Sequence, residues 1–291
     1  MKRLCIVVLS VYFGLCSTLS VYAKQEVKVG VIAPRGSLTA MKRWGELGKY
    51  LEKETGSPVK IIPLKVGEAV DAVKSNSVDY ILSNPVQTVV IQKKSGAIPI
   101  ATMKRKSGAQ FAGVIIAKKG SGITKSADLK GKKVMGFKFK RSAAAYVFQV
   151  KHLLDQGIDP HKDFAVFKEA KKQDDIVLAV KSGLFDAGFI KSGLLEAMAK
   201  EGKIKLSDFE IVDKQTDSLT HLHSTILYPE WCFSASAKAS GNVTDKIKSA
   251  LFKMNENDSA SKSAKIVGFV NLVSLDNLNA TLKALHLPPY E

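Results

Sequence analysis

Five basic side chains stand where a chain has little local reason to keep them. Arg35, the trio Lys138, Lys140 and Arg141, and Lys191 each follow an apolar run and precede a segment with helical spacing. A cation at the start of a helix opposes the helix dipole, so local stability does not account for it. The free amides of a helix N-terminus attract anions, and fixed positive charge beside them adds to that attraction. The chemistry on offer is therefore capture of a small anion, with Arg35 and Lys191 favoured because their small neighbours let a ligand approach. Asn84, Ser142 and Ser192 bring hydrogen-bonding side chains to turns of the same kind. His221-Leu222-His223-Ser224-Thr225 forms a second constellation, in which His223 with Ser224 or Thr225 can donate to an oxyanion. The same stretch also reads as a structural hinge, with His223 hydrogen-bonded and Trp231 in the core.

Signatures of catalysis are missing. The chain has no G-x-S-x-G, no H-E-x-x-H, no phosphate-binding P-loop and no dinucleotide fingerprint. The two histidines and Cys232 lack a metal-site spacing, and no cofactor is expected. Asp79 and Asp186 precede buried strands, which suits a turn or cap better than an acid–base pair.

The N-terminus assigns the compartment. Lys2 and Arg3, an apolar run over residues 4–15 and the small-x-small triplet Val21-Tyr22-Ala23 make a secretory signal peptide, residues 1–23, cleaved after Ala23. Cys16 raises a lipoprotein signal as a rival, but Leu15 stands where a small residue should precede it. No other segment approaches the roughly 18 apolar residues of a spanning helix, so the mature chain is expected in the periplasm. Cleavage removes Cys5 and Cys16, leaving Cys232 without a disulfide partner. Two of the 44 Lys and Arg also go, leaving 42 against 27 Asp and Glu, a formal charge of +15. An exported chain with scattered lysines points to no nucleic-acid partner; the charge instead draws small anions.

The elements that hold these residues alternate short apolar strands with amphipathic helices. Residues 27–32, 59–64 and 78–82 read as strands; Leu38, Met41, Trp44, Leu47 and Leu51 mark one helix, and Ala69, Val70 and Val73 another. Such alternation predicts parallel sheets covered by helices. Ala72-Val73-Lys74-Ser75 followed by Asp79 recurs as Ala179-Val180-Lys181-Ser182 followed by Asp186, an offset of 107. Two halves with one logic imply two related lobes. Residues 111–117 and 224–235 read as extended crossings between them. The expected fold is α/β and two-lobed, each lobe a mostly parallel sheet with flanking helices. Residues 24–110 and 226–291 would form lobe 1 and residues 111–225 lobe 2. The ligand would lie in the interlobe cleft, at turns beyond the carboxyl ends of the strands.

Val29-Gly30-Val31-Ile32, the run Val78-Asp79-Tyr80-Ile81-Leu82-Ser83-Asn84-Pro85, Ala127-Asp128-Leu129-Lys130-Gly131-Lys132-Lys133-Val134 and Ser182-Gly183-Leu184-Phe185-Asp186-Ala187-Gly188 resemble the phosphonate-binding-like family of periplasmic solute-binding proteins over the mature length. That family cradles its ligand in a Ser/Thr-rich, Gly-containing turn, of which only Ser142 survives here; Asn84 replaces a glycine and Thr88 an aromatic. Arg35-Gly36, Leu222-His223-Ser224-Thr225, Leu227-Tyr228-Pro229-Glu230-Trp231 and the basic Lys191 resemble the sensor modules of tetrathionate-type two-component kinases. The resemblance implies a two-lobed, type II periplasmic-binding-protein-like fold and a binding protein without catalysis. It would take a small anion, a phosphonate, a phosphate-like anion or a sulfur or arsenic oxyanion, for a membrane ABC permease or a sensor histidine kinase. The chain looks like the sensing module alone. An extracytoplasmic enzyme on this fold, or an interaction protein with a vestigial cleft, is the alternative.

Overall fold

The computed structural model describes residues 26–34 and 36–291; the expected signal peptide and Arg35 lie outside the described residues. The chain opens with β1 (Val27–Ile32), α1 (Ser37–Thr55), β2 (Val59–Leu64), α2 (Ala69–Lys74), β3 (Tyr80–Ser83), α3 (Pro85–Ser95) and β4 (Ile98–Lys104). It then crosses through β5 (Gln110–Phe111) into β6 (Gly113–Lys118). A second unit follows with β7 (Lys133–Phe137), a π-helical turn (Ala143–Val147) continuing into α4 (Phe148–Asp155), α5 (Pro160–Asp163), β8 (Val166–Ala170), α6 (Gln173–Ser182), β9 (Ala187–Lys191), α7 (Leu194–Lys200) and β10 (Phe209–Ile211). The return runs through β11 (Tyr228–Pro229) into β12 (Cys232–Ala235), α8 (Gly241–Lys253), α9 (Ser259–Ala264), β13 (Gly268–Val270) and α10 (Asp276–Ala284). Among the described residues no helix is long and apolar enough to cross a membrane.

Among the described residues two large sheets result, ordered β13-β4-β12-β3-β1-β2 and β10-β6-β9-β7-β8, besides the two-stranded pairing of β11 with β5. In each, a parallel trio at one end of the sheet (β2-β1-β3, β8-β7-β9) is followed by one reversed strand, β12 or β6, that arrives from the other unit. Four strands of the first sheet and four of the second share a direction, so both are mostly parallel, and the two-lobed α/β architecture stands. The repeat seen in the residues is thus a repeat of topology. Two central apolar strands buried on both faces need helices over them, and the amphipathic segments between supply these.

Local chemistry sets the boundaries. The Asn84 side chain accepts from the Gln87 amide at 3.1 Å and caps α3, with Pro85 at its first position. Gly56, Gly96 and Gly183 end α1, α3 and α6 in the left-handed conformation that favours glycine. The α1 stripe differs from its expected extent. Trp44, Leu47 and Leu51 are buried, but Leu38 is 89% exposed and Met41 42%. The first turn of α1 finds no layer to cover it, whereas later turns pack on β2, α8 and α9. The expected strand over residues 111–117 is divided at Ala112 into β5 and β6. β5 pairs antiparallel with β11, Phe111 opposite Tyr228, so outgoing and returning segments lie side by side where the chain passes between sheets. Phe148 stacks on Tyr228 at 3.8 Å and meets Phe111 edge-on at 5.4 Å, packing α4 against this crossing.

Candidate functional site

The carboxyl ends of β7, β8 and β9 form one edge of the second sheet, and the residues leaving them are strongly basic. Lys138, Lys140 and Arg141 follow β7, Lys171 and Lys172 follow β8, and Lys191 ends β9. Among the described residues no carboxylate lies within ion-pair distance of Lys140, Arg141, Lys171 or Lys172. Glu169, on β8 beside the turn after β7, commits its carboxylate to the Phe139 amide at 2.7 Å. Lys138 and Lys140 hold left-handed backbone, φ 43° and 63°, a costly conformation for long side chains and one that collects at functional turns. Lys138 Nζ donates to the Pro34 carbonyl at 3.4 Å, so the turn after β7 touches the turn after β1 across the gap between the sheets.

Ser142 precedes the π-helical turn and makes no side-chain cap bond. Its carbonyl accepts from the Val147 amide at 3.0 Å, five residues on. A π turn leaves its first amides without an intrahelical acceptor, one more than an α-helix does. The backbone is kinked inside it, with Ala144 and Ala145 outside helical φ/ψ. Hydroxyl, amides and neighbouring cations therefore gather at one point. Lys191 lies at the exposed end of β9, its amide donating to Gln173 Oε1 at 2.9 Å. Its repeat partner Asn84 sits instead as a helix cap, because Ser192-Gly193 separates Lys191 from α7.

The remaining expected site residues collect at the crossing. Ser192 is buried; its hydroxyl accepts from the Ala112 amide at 3.1 Å, and its own amide donates to the Ala112 carbonyl at 3.0 Å. Ser224 Oγ accepts from the Ile115 amide at 2.9 Å, and Thr225 Oγ1 from the Gly113 amide at 3.0 Å. His223 is 1% exposed, with Nδ1 2.8 Å from the His221 carbonyl and Nε2 3.1 Å from Asp217 Oδ2. Burial pushes the Asp217 carboxyl up, but the Leu219 amide and the His223 ring outweigh it and hold it below its ordinary value. These four side chains bind backbone groups, and His223 also Asp217, shaping the crossing beside the basic edge. Trp231 is half-buried and stacks on Trp44, ring centroids 6.4 Å apart. Among the described residues no three His, Cys, Asp or Glu side chains gather as a metal site requires.

Two features escaped the reading of residues alone. Lys171 and Lys172 belong to the basic edge only because β8 lies beside β7. Gln149 is fully buried under the π turn; its signal was a lone polar residue in the apolar run Ala143-Ala144-Ala145-Tyr146-Val147-Phe148-Gln149-Val150.

Residues 29–279 match the family model described as ABC transporter, phosphonate, periplasmic substrate-binding protein. The tetrathionate sensor histidine kinase TtrS of Salmonella typhimurium is 29% identical over 230 residues, 77% of this chain and 39% of the kinase. The chain therefore spans well under half of that relative. PhnD1 of Prochlorococcus marinus, solved with methylphosphonate, superimposes with a TM-score of 0.68 at 19% identity, covering 90% of this chain and 98% of that one. A Xanthomonas citri protein solved with ATP bound gives a TM-score of 0.74 at 15% identity, with the same coverages of 90% and 98%. At such identities these two structures establish the fold alone, that of the periplasmic solute-binding proteins. The family match covers most of the chain, and the protein belongs to the phosphonate-type periplasmic substrate-binding proteins of ABC transporters.

Proposed function

We propose that this chain is exported, loses its leader after Ala23, and captures a small oxyanion between its two lobes without transforming it. The observation that carries this reading is the basic edge around the open amides of the π turn, where cations from the ends of three adjacent strands converge. Ser142, Lys191 and the amides of residues 143–146 would hold the anion from the second lobe. Arg35 and the helix start at Asn84 would meet it from the first. Ser192, His223, Ser224 and Thr225 contribute by shaping the crossing, about which residues 24–110 with 226–291 would swing against residues 111–225. The contact from Lys138 to Pro34 supports a geometry in which the two sets of turns come together. Closure would present an altered surface to a membrane permease or a sensor kinase, the ligand favouring the state it fits better.

Thermal melting of the purified protein against phosphate, methylphosphonate, sulfate, thiosulfate, tetrathionate, arsenate, arsenite and ATP tests the reading. An anion at about 100 times its dissociation constant adds about 2.7 kcal/mol, a rise on the order of 5–10 °C for a chain of this size. Lys191→Ala should then weaken binding about tenfold or more, the worth of one charge-assisted hydrogen bond. A flat panel, or unchanged affinity in both Lys191→Ala and Arg35→Ala, overturns the anion site.

A further inference from the structure

The central strands of the second sheet part before they end. β7 stays paired with β8 up to Phe137, and β9 with β6 up to Lys191, but β7 and β9 are paired only through Met135 and Gly188. The Ile190 carbonyl, opposite Val114 of β6 in the antiparallel ladder, also takes a hydrogen bond from a side chain. Gln149 Nε2 donates to it at 2.9 Å, and also reaches the Ala144 carbonyl at 3.0 Å and the Val114 carbonyl at 3.3 Å. Two amide hydrogens are thus shared among three acceptors from three segments: the strand end before Lys191, the π turn after Ser142, and β6 just past the crossing.

The same amide lies directly on Gly113. A Cβ at that glycine would meet Gln149 Cδ and Nε2 at 2.6 Å. Gly113 is where the crossing is fastened: its amide donates to Thr225 Oγ1 at 3.0 Å, and its carbonyl accepts from the amides of Ser224 at 2.9 Å and Thr225 at 3.3 Å. Gln149 Oε1 is buried and finds no partner among the described residues. A core side chain with an unpaired carbonyl oxygen is a poor filler, so its retention is explained by what its NH2 group does.

We propose that Gln149 is a positioning residue that joins the π turn to the crossing, so that an anion captured on the turn is felt at Gly113. The inference rests on the turn being the anion site. An anion drawn onto the amides of residues 143–146 loads the turn; the Ala144 carbonyl hands that load to Gln149, and Gln149 bears on Ile190 and Gly113. Capture and lobe movement are then one event with a single amide as the link.

Hydrogen exchange on the purified wild type and on Gln149→Leu, which keeps bulk and loses the NH2, tests this, with and without phosphate, sulfate and methylphosphonate. Bound anion should slow exchange in wild-type segments 143–148 and 112–115 together. In Gln149→Leu the anion should still slow segment 143–148 but leave 112–115 unchanged, with affinity about tenfold weaker. Equal protection of both segments in the variant overturns the link. Gly113→Ala gives a readout that needs no anion. Its methyl group should speed exchange at 143–148 at least severalfold, and Gly113→Ala/Gln149→Ala, which restores the space, should reverse this. Disturbance confined to 112–115 in Gly113→Ala overturns the link even if no probe binds. No binding to wild type, with the glycine effect present, would sink the anion reading and leave the mechanical one standing.

Discussion

Asp79 Oδ2 accepts from the Lys28 amide at 2.8 Å, and 107 residues later Asp186 Oδ2 accepts from the Lys133 amide at 2.7 Å. In return the Asp79 amide donates to the Lys28 carbonyl at 2.8 Å, and the Asp186 amide to the Lys133 carbonyl at 2.9 Å. Each aspartate closes a two-bond clasp between the strand it introduces and the first strand of its own parallel trio, β1 or β7. The aspartates are 107 positions apart and their lysine partners 105, so the segments between the two strands differ by two residues between halves. Replacing either aspartate by alanine should cost about 1–3 kcal/mol, because a strand amide is left without its acceptor. Urea unfolding of Asp79→Ala and Asp186→Ala should give similar losses; a large loss in one and none in the other would break the equivalence.

Gly193 holds φ +81°, and a Cβ there would come within 3.0 Å of the His221 ring. Gly193→Ala should lose about 1–2 kcal/mol from the left-handed backbone alone, and more from the contact. Adding His221→Ala should recover the contact part and leave the backbone part. A double variant no more stable than the single one removes the histidine from the account.

Cys232 is fully buried, and burial pushes its thiol up to about 12. The thiolate is the reactive form, so native protein at neutral pH should resist iodoacetamide and react fully once unfolded in urea. Alkylation of the native protein at the rate of a free thiol would contradict this burial.

Asp213 accepts hydrogen bonds from the Ser126 amide and hydroxyl, His152 and Gln156. Burial raises its carboxyl, but these donors together hold it below its ordinary value. A carboxyl lowered in the folded state adds stability above its unfolded value, and that stability is lost as pH falls through the folded value. The urea midpoint should therefore drop as pH is taken below about 4. Asp213→Asn, which tolerates the left-handed φ of 48°, should be less stable at pH 7 and lose less on acidification. Identical pH slopes in both proteins would free Asp213 of this role.

Much of this molecule was legible in its residues because the signals are local. An apolar run bounded by turns reads as a strand wherever it lies, Asn84-Pro85 caps a helix by its own chemistry, and an exact offset between two Ala-Val-Lys-Ser strings marks a duplication without coordinates. The anionic character of the expected ligand also came from local physics, since cations at helix starts oppose the dipole. What the sequence could not determine is where side chains stand once strands have been ordered. Ser224 and Thr225 looked ready to meet a ligand, yet the crossing brings strand amides to their hydroxyls, and a buried amide must find an acceptor, while His223 turns to the His221 carbonyl and Asp217. Lys171 and Lys172 joined the site only through the pairing of β8 with β7, and Gln149 acquired its three carbonyls only once the π turn and α4 packed on β6 and β9. Each depends on segments distant along the chain meeting in space, and hydrogen bonds between such segments exist only after the chain has folded.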